Sequence, residues 1–132
     1  MALDYLNKIV TRRAVVFFIS DFQAPDFSRA LAVSGRRHDF VAIHIHDERE
    51  RVLPNIGLIT LEDAETGEQV EINTADRRTR SLFTELVRGQ DTELSRTFRR
   101  NNIDAITLQT GKDYLPALRS FFKQRERRIR VR

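Results

Sequence analysis

The sequence predicts an α/β fold: a three-layer sandwich in which helices cover both faces of a mainly parallel sheet. Two short segments, at residues 14–19 and 39–45, are almost continuously apolar, which is typical of strands covered on both faces. Residues 104–111 predict a third buried strand. Segments with helical periodicity separate them, and this alternation favours parallel strands joined by right-handed crossovers. A further segment, residues 58–73, alternates apolar and polar residues and predicts an inserted, half-exposed β-hairpin.

The N-terminal part predicts a helix, a strand, a second helix and a second strand. The first helix carries an apolar stripe at helical spacing, formed by Leu3, Leu6, Ile9 and Val10. The strand "AVVFFI" follows at residues 14–19. In the next segment, Pro25 can begin a helix and Gly35 is placed to cap its C-terminus. The strand "DFVAIHI", at residues 39–45, then completes a βαβ unit.

The C-terminal part predicts a hairpin, a long helix, a third strand and a closing helix. Gly67 supplies the positive φ that a tight hairpin connection needs. The long helix spans residues 76–100, and we expect six of its apolar side chains to face inward: Leu82, Phe83, Leu86, Val87, Leu94 and Phe98. After the strand "DAITLQTG", the closing helix is expected to pack five side chains: Tyr114, Leu115, Leu118, Phe121 and Phe122. We predict one domain at residues 1–122 and a basic tail at residues 123–132 that continues the last helix.

Composition excludes several classes of function. The chain has 132 residues and no cysteine, so disulfides, thiolate nucleophiles and cysteine-ligated zinc are excluded. No apolar run approaches the roughly 18 residues of a membrane helix, and we expect no membrane contact by this chain itself. Six of the last ten residues are basic, which places the net charge of +4 in the tail and argues against a specific nucleic-acid interface. A nucleic-acid binder acting through residues 125–132 is a third functional class, and it predicts strongly salt-dependent binding.

Acidic side chains follow each of the three predicted strands. Asp21 follows the first, Asp47 the second and Asp113 the third. In an open parallel sheet, ligands bind just beyond the carboxyl ends of the strands, and carboxylates there suit Mg²⁺ or Mn²⁺. The alternative for Asp21 is structural, because an aspartate can fix the loop through an Asx turn or cap the following helix. The residues alone leave both explanations open.

Several motifs of the chain resemble those of one bacterial family. They are "ISDF" at the end of the first strand, "RRHD" before the second, "DERE" with "LPNIG" after it, and the hairpin "DAETGE". With the residues around them, they look like the second half of the von Willebrand factor A-like domain of the domain of unknown function 58 family. Glu48 stands where that family commonly has proline. The resemblance covers nearly the whole chain and implies half of a Rossmann-like von Willebrand A-type fold.

The resemblance also implies a function. Family members are usually anchored by N-terminal membrane helices, are encoded beside MoxR-type AAA+ ATPases and are thought to act as adaptors. It therefore implies a cytoplasmic, non-enzymatic interaction module, associated with the inner membrane in the full-length protein, with a MoxR-type ATPase as protein partner. The expected interaction residues are Asp21, Phe22, Gln23 and Asp113.

Related A domains bind a divalent metal at a metal-ion-dependent adhesion site, and Asp21 corresponds by position to its last aspartate. The D-x-S-x-S loop of that site has no counterpart, because Asp26-Phe27-Ser28 lies in a predicted helix and lacks the second serine. By this resemblance the chain starts at the helix before the fourth strand, and the first half of the fold is expected to be missing. We therefore predict no metal or other cofactor, with Asp21 as a vestige. Mg²⁺ or Mn²⁺ is expected only if the upstream half is present.

A missing half also predicts self-association. It would leave the first strand at the edge of the sheet, with Val15, Phe17 and Ile19 on an apolar edge that favours pairing with another chain. We therefore expect a homo-oligomer that forms through this edge.

A small metal-dependent hydrolase is the alternative function. His44 and His46 project from the same face of the second strand, and an H-x-H pair at a strand end can begin a metal site that Asp21 and Asp47 would complete. No histidine follows residue 46. The other explanation is that His44 packs within the strand and that His46 lies in a loop.

Overall fold

A computed structural model describes residues 2–24, 27–63 and 66–130 of the chain. Its elements are, in order, α1 (Ala2–Ile9), β1 (Val15–Ser20), α2 (Phe27–Arg37), β2 (Asp39–His46), a 3₁₀ turn (Glu48–Glu50), β3 (Leu58–Glu62), β4 (Gln69–Asn73), α3 (Arg77–Arg100), β5 (Asp104–Gln109) and α4 (Leu115–Arg130). None of the described helices combines the length and the apolar composition needed to cross a membrane.

The chain forms two compact units. We call them the sheet unit, Met1–His46 with Glu93–Arg132, and the hairpin unit, Asp47–Thr92. The predicted domain at residues 1–122 therefore contains parts of both units. α4 runs on into the predicted tail as far as Arg130, and residues 131–132 of that tail lie outside the described part of the chain.

The sheet unit contains the predicted parallel sheet, with the strands in the order β1-β2-β5. Val15 of β1 lies beside Asp39, and His46 of β2 lies beside Gln109 of β5. Residues 40–43 of the central strand are buried. The continuously apolar sequence of β2 thus predicted correctly that both faces of this strand are covered.

Each face of the sheet has its own apolar core. On one face, Phe40 and Ala42 pack with side chains of α1, α2 and the last turns of α3, including Leu31 and Phe98. On the other face, Val41, Ile43 and Ile106 pack with Phe121 of α4. Alternate residues of β2 enter different cores, as the pleat of a strand requires. Helices therefore cover the sheet on both sides, and the predicted three-layer sandwich is confirmed.

The hairpin unit contains a separate two-stranded sheet in which β3 and β4 pair antiparallel. Gly67 in their connection has a φ of +71°, as predicted. The fully buried Thr74 joins this hairpin to the preceding loop. Its hydroxyl group donates a hydrogen bond to the carbonyl oxygen of Gly57 (2.7 Å) and accepts one from the N–H of Ile56 (3.1 Å).

The predicted role of Gly35 is wrong. It does not cap α2, which continues to Arg37. A Cβ atom at position 35 would lie 2.9 Å from Cγ1 of Ile103. The absence of a side chain therefore lets α2 approach the segment that leads into β5. Pro25, predicted to begin this helix, and Asp26 lie outside the described residues.

Several side chains predicted to face inward are exposed. On α3, Leu82 and Leu86 are exposed, whereas Phe83 and Val87 are half-buried. Successive residues of a helix are turned by about 100°, so each pair lies on a different side of α3, and the side with Phe83 and Val87 is the more buried one. In and just before α4, three of the five residues predicted to pack in the closing helix are also exposed: Tyr114, Leu115 and Phe122.

Candidate functional site

β1 forms an outer edge of the parallel sheet. It pairs with β2 on one side, and no strand of the described chain pairs with its other side. The sequence of β1, "VVFFIS", contains no charged residue and no proline, and its pairing with β2 is regular over all six residues. Natural edge strands usually carry a lysine, a proline or a bulge that discourages further pairing. Because β1 lacks all three, its outer edge is suited to pair with another strand.

The two faces of β1 differ in exposure. Val16 and Phe18 pack against the core on the α1–α2 face. The side chains of Val15, Phe17 and Ile19 point to the opposite face and are 60%, 48% and 61% exposed. β1 is therefore covered on one face only, whereas its apolar composition had predicted coverage of both faces. Its apolar sequence resembles that of β2, but α4 lies against β2 and β5.

α4 approaches β1 through one aromatic contact. The ring centroid of Phe122 lies 6.0 Å from that of Phe17, and the Phe122 side chain is itself exposed. We call Val15, Phe17, Ile19 and Phe122 the β1 surface. It contains the three residues predicted as an association edge, and that role stays a prediction.

Asp21 fixes the loop that follows β1. Its Oδ1 atom accepts hydrogen bonds from the N–H of Gln23 (3.2 Å) and from the hydroxyl group of Ser20 (3.4 Å). The Ser20 oxygen in turn accepts a hydrogen bond from the N–H of Phe22 (3.0 Å). This arrangement is an Asx turn, which is the structural explanation that the sequence left open.

Phe22 is a core residue at the end of this turn. Its φ of +56° lies in the left-handed region, which residues other than glycine seldom adopt. Its buried ring lies 5.0 Å from that of Phe98 and 6.0 Å from that of His44. Phe22 was predicted as an interaction residue, and the burial of its ring means that it can only position its exposed neighbours Asp21 and Gln23.

The other two acids at strand ends also accept hydrogen bonds from nearby backbone groups. Oδ1 of Asp113, which follows β5, accepts one from the N–H of Leu115 at the start of α4 (3.0 Å). Oδ1 of Asp47, in the hairpin unit, accepts one from the N–H of Arg49 in the 3₁₀ turn (2.9 Å). In all three cases the acid satisfies a donor two residues further along the chain, so local structure accounts for its position.

His44 and His46 lie side by side on β2, with ring centroids 5.9 Å apart, so the prediction that they share a face is confirmed. The alternative explanation placed His46 in a loop, but His46 is the last residue of β2. His44 packs against Phe22. Across the described ranges, no three histidine, aspartate or glutamate side chains are grouped so that they could bind a metal ion. The set that includes Asp21 and Asp47 is therefore not assembled.

The basic end of α4 binds the amino-terminal ends of two strands. Arg125 forms ion pairs with Asp39 of β2 and with Asp104 of β5, and Arg128 pairs with Asp104 (3.1 Å). The Arg125 side chain is only 17% exposed, so this contact is better shielded from solvent than an ordinary surface pair. Part of the charge that the sequence placed in a tail is thus used within the fold.

The hairpin unit contains a cleft of about 420 Å³ beside α3. Arg80 on its wall donates hydrogen bonds to the carbonyl oxygens of Thr74 (2.6 Å) and Ala75 (2.9 Å). The sequence pattern did not predict this cleft, although residues at helical spacing indicate a shared face. Those that line it on α3 include Arg77, Arg80, Thr84 and Arg88.

Arg51 is anchored within the hairpin unit by Asp91 of α3. Its guanidinium forms two hydrogen bonds with that carboxylate, one of them 3.1 Å long. These bonds raise the pKa of Arg51 and outweigh the opposite effect of its partial burial. Asp91 is 40 positions from Arg51 in the sequence, so the fold, and not the neighbouring charges of residues 47–50, determines this pair.

Comparison with known proteins identifies relatives but no activity. A family model described as "Protein of unknown function DUF58" matches residues 1–93. The chain is 35% identical over 127 residues to the uncharacterized protein MAV169 of Mycobacterium avium. The aligned region covers 96% of the chain and 75% of that protein. It is 31% identical over 128 residues to the uncharacterized proteins Mb1516 of Mycobacterium bovis and Rv1480 of Mycobacterium tuberculosis, of which it spans 40%. No solved structure is significantly similar to the chain.

Proposed function

The chain belongs to the DUF58 family of proteins of unknown function, and we propose that it is a non-enzymatic module for protein–protein interaction. The observation that supports this function is the β1 surface, where an edge strand without charge exposes three large apolar side chains. An exposed apolar edge of this kind favours the addition of a strand from another chain, with main-chain hydrogen bonds supplying affinity.

The partner that we propose is a MoxR-type AAA+ ATPase, bound near the inner membrane by the full-length protein. This part of the proposal rests on the family resemblance, because the mycobacterial relatives are themselves uncharacterized. The chain spans 40% of the length of two of these relatives.

The rim beyond β1 and β5 is the second part of the proposed interaction surface. Asp21, Gln23 and Asp113 are exposed there. The buried ring of Phe22 fixes the loop that contains Asp21 and Gln23. Because Asp21 and Asp113 each accept a backbone hydrogen bond, we propose that this rim contacts protein and needs no metal ion. Asp21 would then be the vestige of a metal-ion-dependent adhesion site.

A charge placed on β1 tests the proposed function. Val15→Lys adds a charged residue to the strand edge, and we expect it to weaken binding to a purified MoxR-type ATPase at least about tenfold. Val70→Lys is the matched control, because Val70 lies on a strand of the hairpin unit and is 57% exposed, against 60% for Val15. Biosensor titration of the immobilised ATPase measures both dissociation constants.

We expect Val70→Lys to bind the ATPase within about twofold of the unmodified chain, as is usual for surface substitutions. Equal binding by Val15→Lys would contradict the role of the β1 surface. Failure of the unmodified chain to bind would remove the ATPase as the partner.

A further inference from the structure

We infer that two copies of the chain pair through β1, antiparallel and with Phe17 opposite Phe17 of the second copy. This pairing rests on the proposed function and assigns a second copy to the same strand edge that the ATPase would use, so the two partners would exclude each other. A two-fold axis perpendicular to the sheet would join the two three-stranded sheets into one sheet of six strands. Each copy would satisfy the unpaired edge of the other.

The alternation of side chains restricts the register of this pair. The two-fold axis keeps equivalent faces on the same side, so the exposed residues of both copies share one face. Residues directly opposite in an antiparallel pair also have their side chains on one face. An odd-numbered residue must therefore oppose an odd-numbered one. Pairing centred on Val15–Ser20 then leaves two registers, one with Phe17 and the other with Phe18 on the axis.

The charges that flank β1 select the first register. Arg13 precedes β1 and Asp21 follows it directly, and both side chains are exposed. With Phe17 on the axis, Arg13 lies opposite Asp21 of the second copy, and symmetry produces this opposite-charge pair twice. With Phe18 on the axis, Asp21 would oppose Val15 and Arg13 would oppose Gln23. The strand between these charges is uncharged, so no like charges face each other.

This charge pattern points to a second copy as the occupant. A strand that pairs with β1 in this register needs an apolar centre, an acid opposite Arg13 and a base opposite Asp21. The chain itself supplies that sequence in the reverse direction. The selected register also places Val15 opposite Ile19 and joins two aromatic rings at the axis, which are favourable cross-strand pairs.

Single cysteine variants test both the pairing and its register, because the chain contains no cysteine of its own. In the inferred register, two Phe17→Cys chains have their Cα atoms about 4.5–5.5 Å apart, within the range of a disulfide. Two Val15→Cys chains are offset by four residues, about 13 Å along the strand, and cannot be bridged. A mixture of Val15→Cys with Ile19→Cys can be bridged.

We expect mild oxidation to cross-link Phe17→Cys and the Val15→Cys with Ile19→Cys mixture, and to leave Val15→Cys and Ile19→Cys alone as monomers on non-reducing gels. A mixed disulfide between Phe17→Cys and Ile19→Cys, recognised by a size tag on one variant, would overturn the register, because these positions face each other only when Phe18 is on the axis. Equal cross-linking of every variant would indicate random collision and would overturn the pairing. Circular dichroism of each reduced variant establishes that it is folded.

Sedimentation of the unmodified chain separates this inference from the proposed function. A monomer at 100 µM, a concentration about ten times a dissociation constant on the order of 10 µM, would refute the two-fold pair. If Val15→Lys still abolished ATPase binding in that case, the interaction module would stand without self-association. If a dimer forms but no ATPase binds, the pairing stands and the partner is wrong.

Discussion

The two units of the chain expose β-strands of opposite character. Val15 in the sheet unit and Val70 in the hairpin unit are exposed to nearly the same extent, 60% and 57%. Val70 lies between Gln69 and Glu71, and polar or charged neighbours of this kind protect an edge strand from further pairing. Val15 begins a strand without any charge. Strands of similar exposure therefore differ in charge, and we propose that only the uncharged one is a surface for a partner.

The units also differ in what they bury. In the sheet unit, Leu31 and Val41 are fully buried in apolar clusters on opposite faces of the sheet. In the described part of the hairpin unit, the fully buried side chain is Thr74, whose hydroxyl group makes two hydrogen bonds. We therefore expect apolar packing to stabilise the sheet unit and hydrogen bonding to be more important in the hairpin unit.

The largest predicted effect sharpens this comparison in the sheet unit. Leu31→Ala removes a fully buried side chain and leaves a cavity, so we expect the free energy of unfolding to fall by about 3 kcal/mol. Urea unfolding followed by circular dichroism measures this change. The control is Leu58→Ala on β3, where the side chain is 67% exposed and a change within about 0.5 kcal/mol is expected. Similar losses for the two variants would contradict the assignment of the core.

A smaller effect is predicted in the hairpin unit. Thr74→Val keeps the shape of the side chain but leaves the N–H of Ile56 without its acceptor, which we expect to cost about 1–2 kcal/mol. Amide hydrogen exchange at Ile56 should accelerate in Thr74→Val and stay slow in Thr74→Ser, which keeps the hydroxyl group. Unchanged exchange in Thr74→Val would show that this hydrogen bond does not hold the loop.

The sequence predicted the elements better than their exposure. An unbroken apolar run predicted strands at both β1 and β2, and both are present. Yet only β2 is covered on both faces, because coverage depends on where α4 packs. The same limit applies to Leu82 and Leu86, whose apolar character does not reveal which stripe of α3 meets the core.

In the candidate site, contacts between residues close in the sequence could be predicted, whereas contacts between distant residues could not. The turn at Asp21 could be predicted, because the acceptor and the N–H of Gln23 are two residues apart. The contact of Arg125 with Asp39 could not be predicted, because 86 residues separate them and the topology alone brings them together. Sequence patterns thus indicated turns such as those at Asp21 and Gly67, whereas the fold determined which arginines lie at which strand ends.

The smallest predicted effect concerns a feature that both units share, the acid that follows a strand. Asp21 in the sheet unit and Asp47 in the hairpin unit each use one carboxylate oxygen to accept a backbone hydrogen bond. Mg²⁺ requires near-octahedral coordination by several oxygen ligands. We therefore expect 1 mM Mg²⁺ or Mn²⁺, a concentration about 100 times a 10 µM dissociation constant, to leave the melting temperature unchanged within about 1 °C.

This expectation can fail clearly. A site with a dissociation constant of about 10 µM would stabilise the fold by about 2.7 kcal/mol at 1 mM metal, and a chain of this length would then melt several degrees higher. Asp21→Asn and Asp47→Asn identify the unit responsible, because asparagine keeps an oxygen that can accept the backbone hydrogen bond but removes the charge that a metal needs. A shift abolished by Asp21→Asn and kept in Asp47→Asn would establish a metal site on the rim of the sheet unit. Asp21 would then be a functional ligand, and the β1 surface would lie beside a metal-dependent interaction site.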